Sequence, residues 1–356
     1  MPKNQSEKQT LKLSKNSFLN IYVYSNPNKK NIHTKTSDEF CDCLIHMADT
    51  DIVIQIKENN EPNANNWFHR KVLGDARLQL SVACGAICSN DFEIWNRKNT
   101  FLISKCGQKP QRVSPVIVFE KKDVGNYQQV AIPEKIADTD YRYVPCNIFS
   151  MEDFEYVTSM IPTGPDFIDY LEFRYKTLKD HPPSFQLFPL FKKGENIVHA
   201  KHAANNEHIM VAEFLSTKTD EPEKMLINAK MWHDNIVGLE NDNRMNPILL
   251  KLLSYFRIEN LVSWDQCHML LVEKSGGINC TWISEPILTG TVDGKKYGIM
   301  LSYLPIKDFS MQVITEGDVE MTNDAMQALK DYSLDGLFVF QYTDSKGIRV
   351  TSFGFK

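Results

Sequence analysis

A pair of apolar runs joined by a short polar segment constrains this chain more than any other feature of its sequence. The runs span residues 40–47 and 51–57, and Ala-Asp-Thr at 48–50 separates them. Short runs rich in Ile, Val and Phe on either side of a turn predict two antiparallel strands. The second run is apolar between Asp51 and Gln55, which indicates a strand buried on both faces over most of its length.

Polar residues interrupt this hairpin on one face only. Side chains alternate along a strand, so Gln55 and Lys57 point to the same side. A two-residue turn pairs Asp42 with Lys57, whereas a four-residue turn pairs Asp42 with Gln55. Both registers place Asp42 on the face of Gln55 and Lys57, and only a turn of odd length separates them.

These residue types suit metal-assisted hydrolysis of a phosphodiester bond. Asp42 offers a carboxylate and Gln55 a neutral amide oxygen, and hard cations such as Mg2+ prefer oxygen ligands. The backbone carbonyl of Ile56 would add a third oxygen, and Lys57 would orient the attacking water and offset phosphate charge. The competing interpretation of the same pattern is a solvated hairpin face with polar residues near its ends.

An acidic residue on an upstream helix would complete such a site. A short helix is predicted over residues 5–15, and Glu7 is the only acidic residue among positions 1–37. A glutamate in a first helical turn is also commonly a solvated partner of the helix dipole. Glu39 is a poor substitute, because it lies three residues before Asp42 and alternation places it on the opposite strand face.

A long helix is predicted to begin near Trp67 and to follow the hairpin. Apolar residues recur at helical spacing along it, at Phe68, Val72, Ala76, Leu80, Ala83 and Ile87. The polar residues of the same helix are candidates for contacts with phosphate groups, namely His69, Arg70, Lys71, Arg77 and Gln79. An ordinary exposed helix face would have a similar composition.

Together these elements resemble the PD-(D/E)XK, or restriction-endonuclease-like, superfamily. The resemblance covers about residues 5–90 and at most extends to 180. It rests on the order of elements as a whole, carried by Glu7, a predicted strand at 18–24, Glu39-Phe-Cys-Asp42, Gln55-Ile-Lys57 and the helix that follows. Gln55 in place of the acidic residue resembles the Mrr-like and Holliday-junction-resolvase-like branches.

The resemblance implies an α/β fold with a central mixed sheet flanked by helices, and cleavage of DNA that depends on Mg2+ or Mn2+. Asp42 would be a metal ligand, Gln55 a weaker ligand, Lys57 the catalytic lysine and Glu7 the acid of the first helix. A role in defence against foreign DNA follows only by analogy with other proteins of this fold.

His-Pro-Pro at 181–183 is the strongest signal for a domain boundary. We therefore expect a nuclease-like domain over residues 1–182 and an α+β domain over 183–356. The second domain carries no recognisable chemical motif, and it would serve substrate choice, homodimerisation or binding of a partner protein. Its strand-like runs lie at 269–272, 297–302, 311–314 and 337–342, and its helices near 245–257 and 322–332.

Composition excludes some classes of protein. No apolar run approaches the ~18 residues of a membrane span, and the polar N-terminal residues differ from a secretory signal. A cytoplasmic protein without membrane association is therefore expected. Neither the Cys41/Cys43 pair nor the Cys84/Cys88 pair has a second pair at zinc-finger spacing, which favours buried free thiols.

Two other hypotheses remain open at this stage. The net charge of −5 and the neutral Gln55 favour a domain that keeps the nuclease fold but acts as a non-catalytic binding module. A nuclease, however, needs a locally basic groove rather than a basic surface throughout. Alternatively, catalysis resides in residues 185–356, through Asp234, Glu240, Asp242 and the pair Cys267-His268.

Overall fold

The computed structural model divides the chain into two compact units, Met1–Thr217 and Lys218–Lys356. The structure describes residues 4–18, 22–47, 50–59, 61, 63–107, 110–120, 126–135, 141–180, 186–189, 196–201, 206–220, 222–223, 225–226, 246–275, 282–304, 311–343 and 348–354.

The described residues of the first unit form two sheets. Its strands are, in chain order, β1 (Val23–Ser25), β2 (Asn28–Asn31), β3 (Ser37–Glu39), β4 (Cys43–His46), β5 (Thr50–Glu58), β6 (Phe92–Trp95), β7 (Leu102–Ser104), β8 (Arg112–Glu120), β9 (Asn126–Lys135), β10 (Tyr141–Ser150), β11 (Gln186–Pro189) and β12 (Asn196–Lys201). Eight of them form a mixed sheet in the order β1-β4-β5-β8-β10-β9-β12-β11, and the others form an antiparallel sheet in the order β3-β2-β6-β7.

Helices cover both faces of the large sheet. They are α1 (Gln5–Phe18), α2 (Ala64–Trp67), a π-helical segment (Phe68–Ala76), α3 (Arg77–Cys88), α4 (Met151–Met160), α5 (Gly164–Asp180) and α6 (Asn206–Ser216). Ile148 of β10 packs into the core with α3, whereas the next residue, Phe149, packs edge-on against Phe154 of α4. Because successive strand side chains point to opposite faces, α3 and α4 lie on opposite sides.

This arrangement is the mixed sheet flanked by helices that the sequence predicts. β1, β4 and β5 are antiparallel neighbours, and the long helix connects β5 to the parallel strand β8. All six residues of the predicted apolar stripe are buried in one core cluster beneath the sheet. The predicted strand at 18–24 agrees with the structure only at its last two residues, because α1 continues through Phe18 and β1 begins only at Val23; residues 19–21 lie outside the described residues.

The first unit extends beyond the predicted boundary at 182/183. β11 and β12 lie past that point, yet they complete the edge of the large sheet. α6 then packs against α4 and α5, and its Glu207 pairs with Arg174 of α5 at 3.0 Å, with both side chains fully buried. The boundary therefore falls between Thr217 and Lys218.

The second unit is a mixed sheet with three long or medium helices among its described residues. Its helices are α7 (Pro247–Leu253), α8 (Ile258–Ser275) and α9 (Met311–Asp331), and its strands are β13 (Trp282–Ile283), β14 (Leu288–Val292), β15 (Lys295–Leu304), β16 (Gly336–Thr343) and β17 (Ile348–Phe353). β15 and β16 are parallel and are connected through α9, while β17 pairs antiparallel with β16.

The sequence predicts this unit's strands only in part. The runs at 297–302 and 337–342 lie in β15 and β16, as predicted. Those at 269–272 and 311–314 lie instead in α8 and α9, because a short apolar run within a longer amphipathic helix has the same composition as a strand. Over the residues that the structure describes, no helix combines the length and apolarity that a membrane crossing requires.

Candidate metal-dependent active site

A cavity of about 750 Å3 lies in the first unit and collects the residues that the hairpin pattern singles out. Glu7 from α1, Asp42 from the residue before β4, and Gln55, Ile56 and Lys57 from β5 all line it. These residues come from three separate elements, and the predicted site is therefore assembled in one place.

The strand register explains how Asp42 reaches the cavity. β4 and β5 pair with Cys43 opposite Ile54 and His46 opposite Asp51. Continued by one residue, this register sets Asp42 opposite Gln55, which is the second of the two registers that the sequence allows. Residues 48 and 49 of the connecting turn lie outside the described residues.

Asp42 is held by the backbone of the neighbouring strand. Its Oδ2 accepts the N–H of Ile56 at 2.8 Å. Burial raises the pKa of Asp42 to about 6, and the Ile56 N–H and the Lys57 ammonium only partly oppose this shift. A carboxylate that is costly to ionise in this position gains stability from a nearby cation.

The same hydrogen bond orients a backbone oxygen. The N–H and C=O groups of one residue in an antiparallel ladder point to the same strand edge. Because the Ile56 N–H points to Asp42, the Ile56 carbonyl also faces that edge. The predicted third oxygen ligand thus lies on the side of the strand that carries Asp42.

Lys57 is positioned by the long helix. Its Nζ donates to Oε1 of Gln79 on α3 at 2.7 Å. Burial lowers the pKa of Lys57, and the nearby carboxylate of Asp42 acts in the opposite direction. Gln79, a predicted phosphate contact, thus holds the lysine in the cavity and lines the cavity itself.

Glu7 lies in the first turn of α1, where its backbone N–H donates to Oδ1 of Asn4 at 2.8 Å. Its side chain is 6% exposed and lines the cavity. Its negative charge also contributes to the raised pKa of Asp42. The structure therefore brings Glu7 to the site, as the sequence predicts.

Glu39 also lines the cavity, against the prediction from strand alternation. Alternation would separate Glu39 from Asp42 only if one strand continued through both residues. In the structure Glu39 ends β3 of the small sheet, and β4 begins only at Cys43. The Asn26 side chain donates to Oε1 of Glu39 at 3.4 Å. Local spacing gives no signal for this placement, because it depends on how the two sheets meet.

The structure places only some of the predicted phosphate-binding residues at the cavity. Lys71 and Gln79 line the cavity. Arg70 is largely exposed and pairs with Glu61 away from the cavity. Arg77 is only 8% exposed and does not line the cavity, which removes it from the predicted phosphate-binding surface. Leu80 and Cys84 follow it at helical spacing on the same face of α3, and both are buried as well.

A π-helical segment brings a further carboxylate to the site. The segment spans Phe68–Ala76, and such segments are rare and often occur at functional sites. Lys71 and Asp75 lie one turn apart on it, and the lysine Nζ is 2.8 Å from the Asp75 carboxylate. Both residues line the cavity. Asp75 was not predicted, although its i, i+4 spacing from Lys71 indicates the ion pair.

Asp42, Gln55 and Ile56 offer oxygen atoms of the kinds that hard cations prefer. Within the described residues, no group of three or more His, Cys, Asp or Glu side chains is arranged to hold a metal ion. A cation here would therefore rely on a mixed set of oxygens from Asp42, Gln55 and Ile56, which suits Mg2+ or Mn2+ better than Zn2+. Cys41, Cys43 and Cys84 are buried, as predicted, whereas Cys88 is only half-buried.

The alternative site in the second unit gains little support. Asp234, Glu240 and Asp242 lie outside the described residues. Burial raises the pKa of the Cys267 thiol, which is the opposite of what an activated nucleophile requires.

Comparisons with protein-family models, curated proteins and solved structures find no match for this chain.

Proposed function

We propose that the first unit is a divalent-metal-dependent nuclease that hydrolyses phosphodiester bonds in DNA. The observation that carries this proposal is the convergence of Glu7, Asp42, Gln55 and Lys57 on one cavity. The surrounding architecture also agrees with the expectation, because the hairpin lies in a mixed sheet with helices on both faces.

Each residue has a role that its geometry supports. Asp42, Gln55 and the Ile56 carbonyl would hold Mg2+ or Mn2+, which when bound lowers the pKa of a water molecule and offsets phosphate charge. Lys57 donates hydrogen bonds to the attacking water or to a phosphate oxygen, and Gln79 keeps its ammonium group in place. Glu7 adds negative charge beside Asp42 and favours binding of a cation.

Lys57→Ala is expected to reduce cleavage of plasmid and linear DNA by about 100-fold or more, because it removes the ammonium group proposed to orient the attacking water and to offset phosphate charge. The measurement compares initial rates with Mg2+ and with Mn2+, and circular dichroism verifies folding. Lys98→Ala is the matched control, since Lys98 is exposed and lies outside the cavity. Equal rates for wild type and Lys57→Ala would contradict the proposed role.

A binding module without catalysis is the second candidate. The neutral Gln55 leaves the proposed ligand set with one carboxylate, and the chain has a net charge of −5. Metal binding separates the two candidates. A nuclease binds Mn2+ in a way that Asp42→Ala abolishes, and a binding module shows neither Mn2+ binding nor cleavage of any DNA or RNA.

The remaining assignments concern the setting of the protein. None of the described cysteines forms a disulfide, which fits the reducing cytoplasm, and a role in defence against foreign DNA fits a nuclease there. We assign substrate choice, homodimerisation or partner binding to the C-terminal part of the chain. Sedimentation of the intact protein at several concentrations tests the homodimer.

A further inference from the structure

Two aliphatic side chains lie exposed beside the candidate active site. Leu78 is 68% exposed and Val82 is 51% exposed, and both line the same cavity as Lys57. The outward face of a helix in a globular protein is normally polar. The core-facing side of α3 is already occupied by Leu80 and Ala83, so Leu78 and Val82 contribute nothing to that core.

Their position relative to Lys57 is well defined. Leu78 and Val82 are four residues apart and therefore adjacent on the helix surface. Gln79, which accepts the hydrogen bond of Lys57, follows Leu78 directly. The aliphatic pair thus borders the lysine that the proposed function places at the scissile phosphate.

The cavity lining carries charges of both signs. Lys29 of the small sheet and Lys71 of the π-helical segment line it together with Lys57, and its carboxylates are those of Glu7, Glu39, Asp42, Glu58 and Asp75. With a divalent cation held at Asp42, as proposed above, the three ammonium groups favour a ligand that carries anionic groups next to flat apolar surfaces. A nucleotide chain has this chemistry, with phosphates on its backbone and apolar faces on its bases.

Base pairing decides whether those faces are available. In a duplex the bases are stacked on one another, and the grooves present base edges, sugars and phosphates. In single strands, overhangs and extruded nucleotides the base faces are exposed and are bound by apolar side chains. The Leu78/Val82 pair would stay in contact with water against an intact duplex, and it would be covered by an unpaired base.

We propose, on the basis of the nuclease function above, that the substrate presents unpaired nucleotides next to the scissile phosphate. The faces of these bases pack on Leu78 and Val82, while Lys29, Lys57 and Lys71 contact the backbone. The rim formed by Leu78 and Val82 is thus a specificity-determining surface for unpaired DNA.

The test uses oligonucleotides of one sequence as a single strand, a blunt duplex and a duplex with an overhang. Wild type is expected to cut the two unpaired forms about tenfold faster than the blunt duplex. The double variant Leu78→Ser, Val82→Ser is expected to bring the ratio of rates close to one. Ile209→Ser is the matched control, because Ile209 is 62% exposed on α6 and does not line the cavity.

Binding of labelled oligonucleotides, measured by fluorescence anisotropy, separates this inference from the nuclease proposal. One outcome would support the role of Leu78 and Val82 and contradict the nuclease proposal. In that outcome no DNA is cut, single strands bind more tightly than duplex, and the double variant loses this preference. Equal binding and equal cleavage of paired and unpaired DNA would overturn the proposal that Leu78 and Val82 select unpaired DNA. The proposal would also be overturned if the double variant changed the sedimentation of the protein but kept the preference for unpaired DNA. In that case Leu78 and Val82 would contact a second copy of the chain.

Discussion

Asp42→Asn is expected to make the metal-free protein more stable at pH 7.5 while it reduces metal-dependent cleavage by about 100- to 1,000-fold. Burial raises the pKa of Asp42 from its ordinary value of 3.8 to about 6. Asn keeps an oxygen that can accept the Ile56 N–H, but it carries no charge. The substitution therefore removes the unfavourable ionisation and with it the one carboxylate of the proposed ligand set.

The pH dependence follows from the direction of this shift. Because the folded protein holds the proton more tightly than the unfolded chain, wild type loses stability as the pH rises from about 4 to about 6. Above this window Asp42→Asn should be more stable by about 2–3 kcal/mol, and at pH 4 the difference should disappear. Urea unfolding in EDTA at pH 4 and pH 7.5 measures both values.

Asp75→Asn is the matched control for this experiment. Asp75 lines the same cavity, but the hydrogen bond from Lys71 lowers its pKa, so its neutralisation should give no stabilisation. Mg2+ should then raise the unfolding midpoint of wild type at pH 7.5 and leave that of Asp42→Asn unchanged. If Asp42→Asn is no more stable than wild type at pH 7.5, the ionisation of Asp42 does not destabilise the folded protein.

Arg174→Met is expected to destabilise the first unit by about 3–5 kcal/mol. Arg174 is fully buried, and its Nε lies 3.0 Å from both carboxylate oxygens of Glu207. Its other nitrogens donate to Oδ1 of Asn147 and to the carbonyl of Ile148, and the Tyr170 hydroxyl also donates to Glu207. Removal of the guanidinium leaves a buried carboxylate without its cation.

Urea unfolding of a double-mutant cycle measures this effect. Glu207→Gln added to Arg174→Met should restore part of the lost stability, because no buried charge then remains. Arg112→Met is the control, since Arg112 also forms two ion pairs, with Asp169 and Glu172, at a partly exposed position. Its loss should reduce stability by less than about 1 kcal/mol. If Arg174→Met and Arg112→Met lower the free energy of unfolding by similar amounts, the buried Arg174–Glu207 pair is no more important for stability than the partly exposed ion pairs of Arg112.

Local periodicity accounts for the residues that the structure brings together as predicted. Alternation along the strands places Asp42, Gln55 and Lys57 on one face, and this result holds for both registers that the sequence allows. Helical spacing likewise identifies the buried stripe from Phe68 to Ile87. Both patterns depend only on neighbours within one element or one hairpin, which are encoded by residues close together in the chain.

Contacts between distant elements were not predictable in this way. Glu39 enters the cavity through a second sheet, and Gln79 meets Lys57 across the space between α3 and β5. The sequence also places the domain boundary too early. The residues after 182 look like a new domain, but β11, β12 and α6 complete the sheet and the buried Arg174–Glu207 pair of the first unit.

By itself, the sequence determined the hairpin, its polar face, the apolar stripe of the long helix and the mixed α/β class. The tertiary structure alone decided that Asp42 lies opposite Gln55, that Glu39 joins the site, that Arg77 is buried and that Leu78 and Val82 border the cavity. The physical reason is the range of the interactions. Periodic burial acts over a few residues, whereas packing and desolvation at the site depend on elements that meet only after the chain has folded.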